Sequence, residues 1–511
     1  MKTKRILAAL LAAVTTMGAL SGCGDKLVAT GENELSIFMH FFGYCVYDDE
    51  WPIFKKAEEL TGVKLRGVAS ETVSDSAQAY NTMLVSDKLP DIIHYNVGGL
   101  QRLAIEGGLI PLNDLIEEHG PNIKKFLEEY PDAKVEGSLD DGNIYFITGA
   151  NSGIEKGGVP AVQKGWFIRT DWLKKLGLEI PKTVDELYSA MKAFKTQDPN
   201  GNGVADEVPM LERQEGITSY LQLFGAYFGW HENEEGRVVH GMTEDSYKLA
   251  MKELHKWYKE GLIDPEIFTR GQQSREQLFG QDIGGLTHDW FSSTAAMNDK
   301  YAESIPGFEL MPMDPPADVN GVVKEFTTRP QFHGQAWGIS KDCKDPVLAI
   351  KYLDFWLSEE GKTLISYGVE GVHHTVVDGK CVFTDTVLNA EEGVPTYMRN
   401  QGQVEIGSIL AIDAEILGMN EIGRVGFQRY IDEGYAVEYP SSSFTTEESS
   451  ERAKIMTNID TYMKEMQQKW IMGGADIDAT WDEYIQTIND MNYQRAEELT
   501  NIAYARAEKV K

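Results

Sequence analysis

Cysteine is nearly absent: four occur in 511 residues, at positions 23, 45, 343 and 381. So few cannot build a disulfide framework. With Cys23 set aside for the reason given below, an odd number remains, at least one thiol stays free, and a Cys343–Cys381 bridge is permitted but unsupported. Long hydrophobic runs are missing too. The apolar stretch ILAALLAAVTTMGAL, at 6–20, is too short and too poor in large side chains for a good bilayer span. Positive charge is scarce, with 48 Lys and Arg against 80 Asp and Glu and a formal net charge of −32. Such a surface repels phosphate backbones and anionic headgroups, so no nucleic acid is expected as a partner. Catalytic signatures are lacking as well: there is no HExxH, CxxC or GxSxG. GKT at 361–363 has Trp356 where a phosphate-binding loop needs glycine. His288 and the pair His373 and His374 stand isolated and read as polar residues rather than catalysts or zinc ligands. Eighty carboxylates leave room for a glycosidase pair, but no motif marks one.

What is present begins at the N-terminus. A basic MKTKR, the apolar run and LSGC ending at Cys23 have the three-part form of an export signal. LSGC resembles the bacterial lipobox, whose cysteine is lipidated and becomes the first residue of the mature protein. Residues 1–22 then form a lipoprotein signal peptide and 23–32 a lipidated tether. Ordinary signal-peptidase cleavage nearby is the alternative. With more than one acyl chain, each buried CH2 adding about 0.8 kcal/mol, the anchor would hold stably. The leader carries Lys2, Lys4 and Arg5 and no acid, so its removal makes the chain still more acidic. The expected location is the extracellular face of a bacterial cell membrane, held by lipid.

TQDPNGNGVADEVP, at 196–209, crowds oxygen-bearing side chains into a loop that no core could bury bare. Counted from Asp198, the first, third and fifth places are Asp198, Asn200 and Asn202. Gly203 is sixth, Val204 offers its carbonyl at seventh, and Asp206 is ninth. This spacing suits a hard divalent cation wrapped by a tight turn, calcium above all. An EF-hand needs Glu at the twelfth place, where this loop has Pro209; Glu207, two places early, closes the shell instead. A solvated, Asx-rich turn without metal is the alternative.

Between these landmarks strands and helices alternate. ELSIFMHFF reads as a buried strand, and the following helix sets Ile53, Phe54, Ala57 and Leu60 on one face before Gly62. LPDIIHYN gives a second strand. KTVDELYSAMKAFK places Val184, Leu187, Met191 and Phe194 at helical spacing, with Thr183 and Glu186 as a capping box. From Thr446 onward the chain reads as almost wholly helical. Alternating βα units in a chain 42% hydrophobic predict two α/β lobes with mostly parallel sheets.

The segment GWFIRTDWLKKLGLEIPKTVDELYSAMKAFKTQDPNGNGVADEVP resembles the signature of family 1 extracellular solute-binding lipoproteins. These are the calcium-containing, carbohydrate-type binding proteins of ABC importers. The resemblance continues through LPDII, EGGLIPLNDLI, DGNIYFI, YKEGLIDPEIF and WIMGGADIDATWDEYI, and covers nearly the whole mature chain. It implies a periplasmic-binding-protein-like fold (type II) with a hinge and an interlobe cleft. Lobe one is placed at 33–150 and 330–395, and lobe two at 151–329 and 396–511. The resemblance also implies structural Ca2+ on Asp198, Asn200, Asn202, Val204, Asp206 and Glu207, with Glu207 at the family's own tenth place.

By the same resemblance the ligand is an oligosaccharide, the partner an ABC permease and the chain a monomer without enzymatic activity. Sugars ask for flat aromatic faces and planar polar groups. Trp290 follows a short strand in GGLTHDWFSS, where the family typically puts a cleft tryptophan. Tyr95 and Asn96 end the LPDIIHYN strand, at the edge where α/β folds place their sites. His40, Phe42 and Tyr44 follow the first strand similarly, and Trp166 and Trp337 complete the expected set. Trp172, Trp257, Trp356 and Trp481 fall in helical patterns and are expected in cores. A surface carbohydrate-active enzyme and a lipid-anchored sensor or adhesin are the competing readings.

Overall fold

In Glu34–Phe41 every residue after the first is buried, which is why ELSIFMHF shows no polar alternation: the strand is covered on both faces. Its two buried polar members have partners. Ser36 pairs with Asp91, and the His40 ring nitrogens reach Ser76 Oγ at 2.9 Å and the Val73 carbonyl at 2.6 Å. The computed structural model describes residues 33–509 except 42–44, 71, 87, 140, 152–161, 163, 214–215, 271–273, 327–331, 391, 438, 441 and 443. Cys23, Phe42 and Tyr44, together with the signal and tether, therefore lie outside the described residues.

The strands are β1 (Glu34–Phe41), β2 (Cys45–Val46), β3 (Lys64–Gly67), β4 (Ile92–Asn96), β5 (Phe146–Asn151), β6 (Lys164–Arg169) and β7 (Val208–Leu211). They continue with β8 (Trp230–Glu232), β9 (Val238–His240), β10 (Gly284–Trp290), β11 (Leu310–Met313), β12 (Phe332–Ile339), β13 (His374–Val377), β14 (Lys380–Phe383) and β15 (Ile409–Leu410). One sheet runs β15-β5-β12-β4-β1-β2 with β3 also on β1; the other runs β11-β6-β10-β7, and β8-β9 and β13-β14 are separate hairpins. Each sheet divides two cores by the period-two rule. Ile37 and Met39 face one side of β1 and Phe38 the other. Trp166 and Ile168 face one side of β6 and Phe167 the other.

The sheets are mixed rather than mostly parallel. β1 is parallel to β3 and β4, β5 to β15, and β7 to β10. β12 runs against β4 and β5, and β6 against β10 and β11. β6 and β12 are the strands that enter from the opposite lobe, so they arrive reversed. The third crossing also falls later than expected. Residues 396–410 belong to lobe one, because Met398, Val404, Ile406 and Ile409 pack in its core and β15 extends its sheet. The helix Ile412–Leu417 straddles the crossing, with Ala414 in the lobe-one core and Ile412 in the other.

Helix signals survive with one adjustment. Thr183 caps Val184–Thr196 by accepting the Glu186 N–H, but Glu186 reaches back to the Lys182 N–H instead of Thr183. The full capping box belongs to Thr445 and Glu448, at the start of the 26-residue helix Thr446–Ile471. This helix packs with Ile477–Asp490 and Tyr493–Glu508 through Ile459, Trp470, Trp481, Tyr484 and Ala496. Trp172, Trp257, Trp356 and Trp481 are buried as expected. Cys45, Cys343 and Cys381 are free thiols. No helix among the described residues is long and apolar enough to cross a membrane.

Candidate functional site

Connectivity identifies which strand termini lie at the crossings between the two sheets. β5 ends at Asn151 and β6 begins at Lys164, while β11 ends at Met313 and β12 begins at Phe332. Both connections leave one lobe and enter the other, so these strand termini line the two edges nearest the hinge. Register extends each edge. Asn96, ending β4, pairs with Gln335, and Trp290, ending β10, pairs with Lys164. β7 runs parallel to β10, so Glu212 and Arg213, which follow it, lie at the same edge as Trp290. Strand termini of this kind are where α/β folds place ligands.

On lobe two, Trp290 is half-buried and caps the helix Phe291–Tyr301. Its backbone N–H donates to Asp289 Oδ1 at 2.7 Å. Asp289 is 1% exposed, and its other oxygen accepts from Arg213 Nε and Arg275 Nη1, each at 2.8 Å. Burial works against the Asp289 carboxylate, but Arg275 and Arg213 outweigh it and hold the group below the usual carboxylate range. Arg275 is further fixed by Thr294 Oγ1 at 2.7 Å, and Arg213 by Ser293 Oγ. The backbone under Trp290 is thus clamped by charge-assisted hydrogen bonds. Two residues earlier in β10, His288 Nε2 lies 3.0 Å from Glu325 Oε2, with both side chains fully buried.

On lobe one, the Tyr95 ring stacks on Tyr80 with centroids 3.9 Å apart and planes within 4°. Asn96 is exposed, and its side-chain oxygen accepts the Gly99 N–H at the start of the helix Val97–Ile105. Gln335 beside it is buried, and its Oε1 has no hydrogen-bond partner. Tyr95 is itself only 8% exposed, and three expected contributors are wholly interior instead. His40 is fully buried with both ring nitrogens occupied, as described for β1. Trp166 and Trp337 have no exposed surface and sit in the cores of lobes two and one. A fully packed indole offers no face to a ligand, so these two are core residues, as their apolar neighbours suit them to be.

The acidic loop is built around Asp198, which has a left-handed φ of 47°. Its Oδ1 accepts the Gly201 and Asn202 N–H groups at 3.0 and 3.1 Å, and its Oδ2 accepts that of Gly203 at 3.0 Å. Gly201 and Gly203 have φ of 76° and 78°, which a Cβ would strain. The side chains of Asn200 and Asn202 both approach Asp206, at 3.5 and 3.2 Å. Glu207 is fully buried, and neither carboxylate oxygen has a hydrogen-bond partner. Burial, with Asp206 and Asp198 nearby, pushes its carboxyl upward. An orphaned, buried carboxylate behind two further acids is the feature that fits a bound cation. No three His, Cys, Asp or Glu side chains among the described residues form a cage by themselves. An ion here would depend equally on the Asn oxygens and the Val204 carbonyl.

Lys164, Glu212, Arg213, Arg275 and Gln335 stand at or beneath these edges beyond the residues expected from the sequence. LERQEG directly after β7 was a usable signal, since polar residues at a strand terminus in a buried α/β sheet need a reason. Arg275 carried none, because only folding brings its helix under β10. Two surface hollows lie elsewhere. One of about 850 Å³ is lined by Arg237, Ile485, Tyr493 and Asn501, and one of about 460 Å³ by Trp230, His240, Arg452 and Asp460. Neither touches the strand edges described above.

Residues 48–363 match the model of the bacterial extracellular solute-binding protein family. The fructooligosaccharide ABC transporter substrate-binding protein FusA of Streptococcus pneumoniae is 28% identical over 461 residues, covering 84% of this chain and 82% of that one. The Bacillus subtilis polygalacturonan/rhamnogalacturonan-binding protein YtcQ is 23% identical over 356 residues, 66% of this chain and 67% of its own. Among solved structures, the alginate-binding protein AlgQ2 without calcium ion superimposes with a TM-score of 0.83 at 36% identity, covering 94% of this chain and 99% of that one. FusA in complex with kestose gives a TM-score of 0.77 at 25% identity, covering 94% of this chain and 100% of that one. These neighbours are two-lobed solute-binding proteins. With more than half its length matched by the family model, the chain belongs to the bacterial extracellular solute-binding protein family.

Proposed function

We propose that this chain captures an oligosaccharide between its two lobes and delivers it to an ABC importer while held to the cell surface by lipid on Cys23. The observation that carries the reading is the pair of strand edges at the lobe crossings, with Trp290 clamped on one and Tyr95, Asn96 and Gln335 on the other. Among its relatives, FusA is a fructooligosaccharide ABC transporter substrate-binding protein, YtcQ binds polygalacturonan/rhamnogalacturonan and AlgQ2 binds alginate. Closure of the lobes would bury the sugar and make a surface that a permease can tell from the open form. Phe42 and Tyr44 remain proposed contributors by position alone. Calorimetric titration of a glycan panel tests the reading, and binding to no saccharide overturns it. Recovery of intact glycan after long incubation distinguishes a binding protein from an enzyme.

Calcium fits the 198–207 loop, where Asp198, Asn200, Asn202, the Val204 carbonyl, Asp206 and Glu207 would hold it. The ion would supply positive charge to three carboxylates and so pin the loop between its helix and β7. The anchor gives a separate expectation. Cys23→Ser should release the protein into the medium or stall its processing, as fractionation will read. Mass spectrometry that finds an unmodified N-terminus at another residue defeats the anchor.

A further inference from the structure

Behind Trp290, on the same face of the second sheet, several buried polar atoms have no hydrogen-bond partner. They are Glu212 Oε1, the Tyr220 hydroxyl, Trp166 Nε1 and His288 Nδ1. They belong to one neighbourhood. The Trp166 ring centroid is 5.0 Å from that of His288 and 6.4 Å from that of Tyr220, and Glu212 acts electrostatically on Tyr220. Tyr220, Trp166 and His288 have no exposed surface, whereas Glu212, at 8%, retains a little. Glu212 follows β7 directly, so its carboxyl is the member of the group that stands at the cleft-facing edge.

An unmet acceptor in such a place is costly unless something donates to it. Saccharide hydroxyls are suitable donors, and a carboxylate can accept two adjacent ones at once. We propose that Glu212 reads sugar hydroxyls on the lobe-two side of the cleft, its free oxygen accepting from the ring that stacks on Trp290. This deepens the oligosaccharide reading and rests on it.

The electrostatic setting makes the contact measurable. Burial pushes the Glu212 carboxyl up to about 7, opposed by Lys164 on β6, His288 on β10 and the Ser219 hydroxyl, and assisted by Asp289 on β10. Arg213 and Arg275 are committed to Asp289, and His288 to Glu325. A carboxyl raised in this way is substantially protonated below 7 in the free protein. Hydroxyls donating to it favour the ionised form, so binding expels a proton. Affinity then rises with pH, by at most about tenfold per unit for one coupled proton, and levels off above 7.

The test is calorimetry of 1-kestose, an alginate tetrasaccharide and a glycan panel, from pH 5.5 to 8.5, in buffers of differing ionisation enthalpy. The expected result is proton release on binding at or below pH 7, abolished in Glu212→Gln together with the rise in affinity. Glu136 in lobe one is a built-in control, since burial pushes it to about 7 as well; Glu136→Gln should keep the proton release. Should Glu212→Gln fail to fold, the wild-type profile still decides, because affinity without pH dependence across this range overturns the proposal. So does proton release that survives in Glu212→Gln or vanishes in Glu136→Gln. Binding to no saccharide at any pH overturns the underlying reading, a different failure from pH-independent binding.

Discussion

Removing calcium is expected to lower the melting temperature and to leave saccharide affinity nearly unchanged. An ion that binds only the folded state stabilises it by RT ln(1 + [L]/Kd), about 2.7 kcal/mol when calcium exceeds Kd a hundredfold. The loop lies in one continuous stretch between the helix Val184–Thr196 and β7, so it can bind its ion without the cleft closing. The choice of variant matters. Asp198 already holds three backbone N–H groups, so Asp198→Ala removes the turn as well as a ligand and should destabilise even the metal-free protein. Glu207→Gln separates the two effects. Glu207 is buried without a partner, so neutralising it should raise the stability of the chelated protein while shrinking the gain on adding calcium. Melting curves with and without calcium will read both signs. Chelation that strips bound metal yet leaves melting unchanged would refute a structural ion. If chelation instead abolishes sugar binding without loosening the fold, the ion belongs to the recognition site.

Trp290→Ala should weaken saccharide binding about tenfold to a hundredfold, the 1–3 kcal/mol expected for losing a large apolar contact surface. Its fold should survive, because Trp290 is only half-buried and the backbone N–H that anchors the helix start on Asp289 is retained by Ala. Trp337→Ala is the contrasting variant. Trp337 has no exposed surface and packs on Trp356 with ring centroids 6.5 Å apart. Its truncation should cost about 3–5 kcal/mol of stability. Calorimetry and melting curves together should therefore separate the two tryptophans into a binding residue and a core residue. Unchanged affinity in Trp290→Ala, measured with a saccharide that the wild type binds, removes Trp290 from the site.

Local chemistry was legible. The order Asp198, Asn200, Asn202, Gly203 specified its own turn, because the residues that bond to one another are neighbours in the chain. Helix spacing in Val184–Thr196 and the burial of Trp172, Trp257, Trp356 and Trp481 followed from periodicity for the same reason. Exposure of single aromatics was harder. Trp166 lies two residues inside β6 and Trp290 ends the adjacent β10, on the same face of one sheet, and the first is covered while the second is half-open. What covers Trp166 is Tyr220 and His288, from segments far apart in sequence.

The sequence by itself determined the acidic loop, the alternation of strands and helices and, through motif resemblance, the family. These depend on residues within one helical turn, one strand or one short motif of each other. Only the tertiary structure decided the mixed strand directions, the late crossing near residue 411 and the Asp289–Arg213–Arg275 clamp beneath Trp290. It also decided which buried carboxyls were left without partners. Strand direction depends on which lobe the chain is returning from, and a carboxyl's partners come from elements up to hundreds of residues away. A local pattern carries neither, because both are fixed when the two lobes assemble.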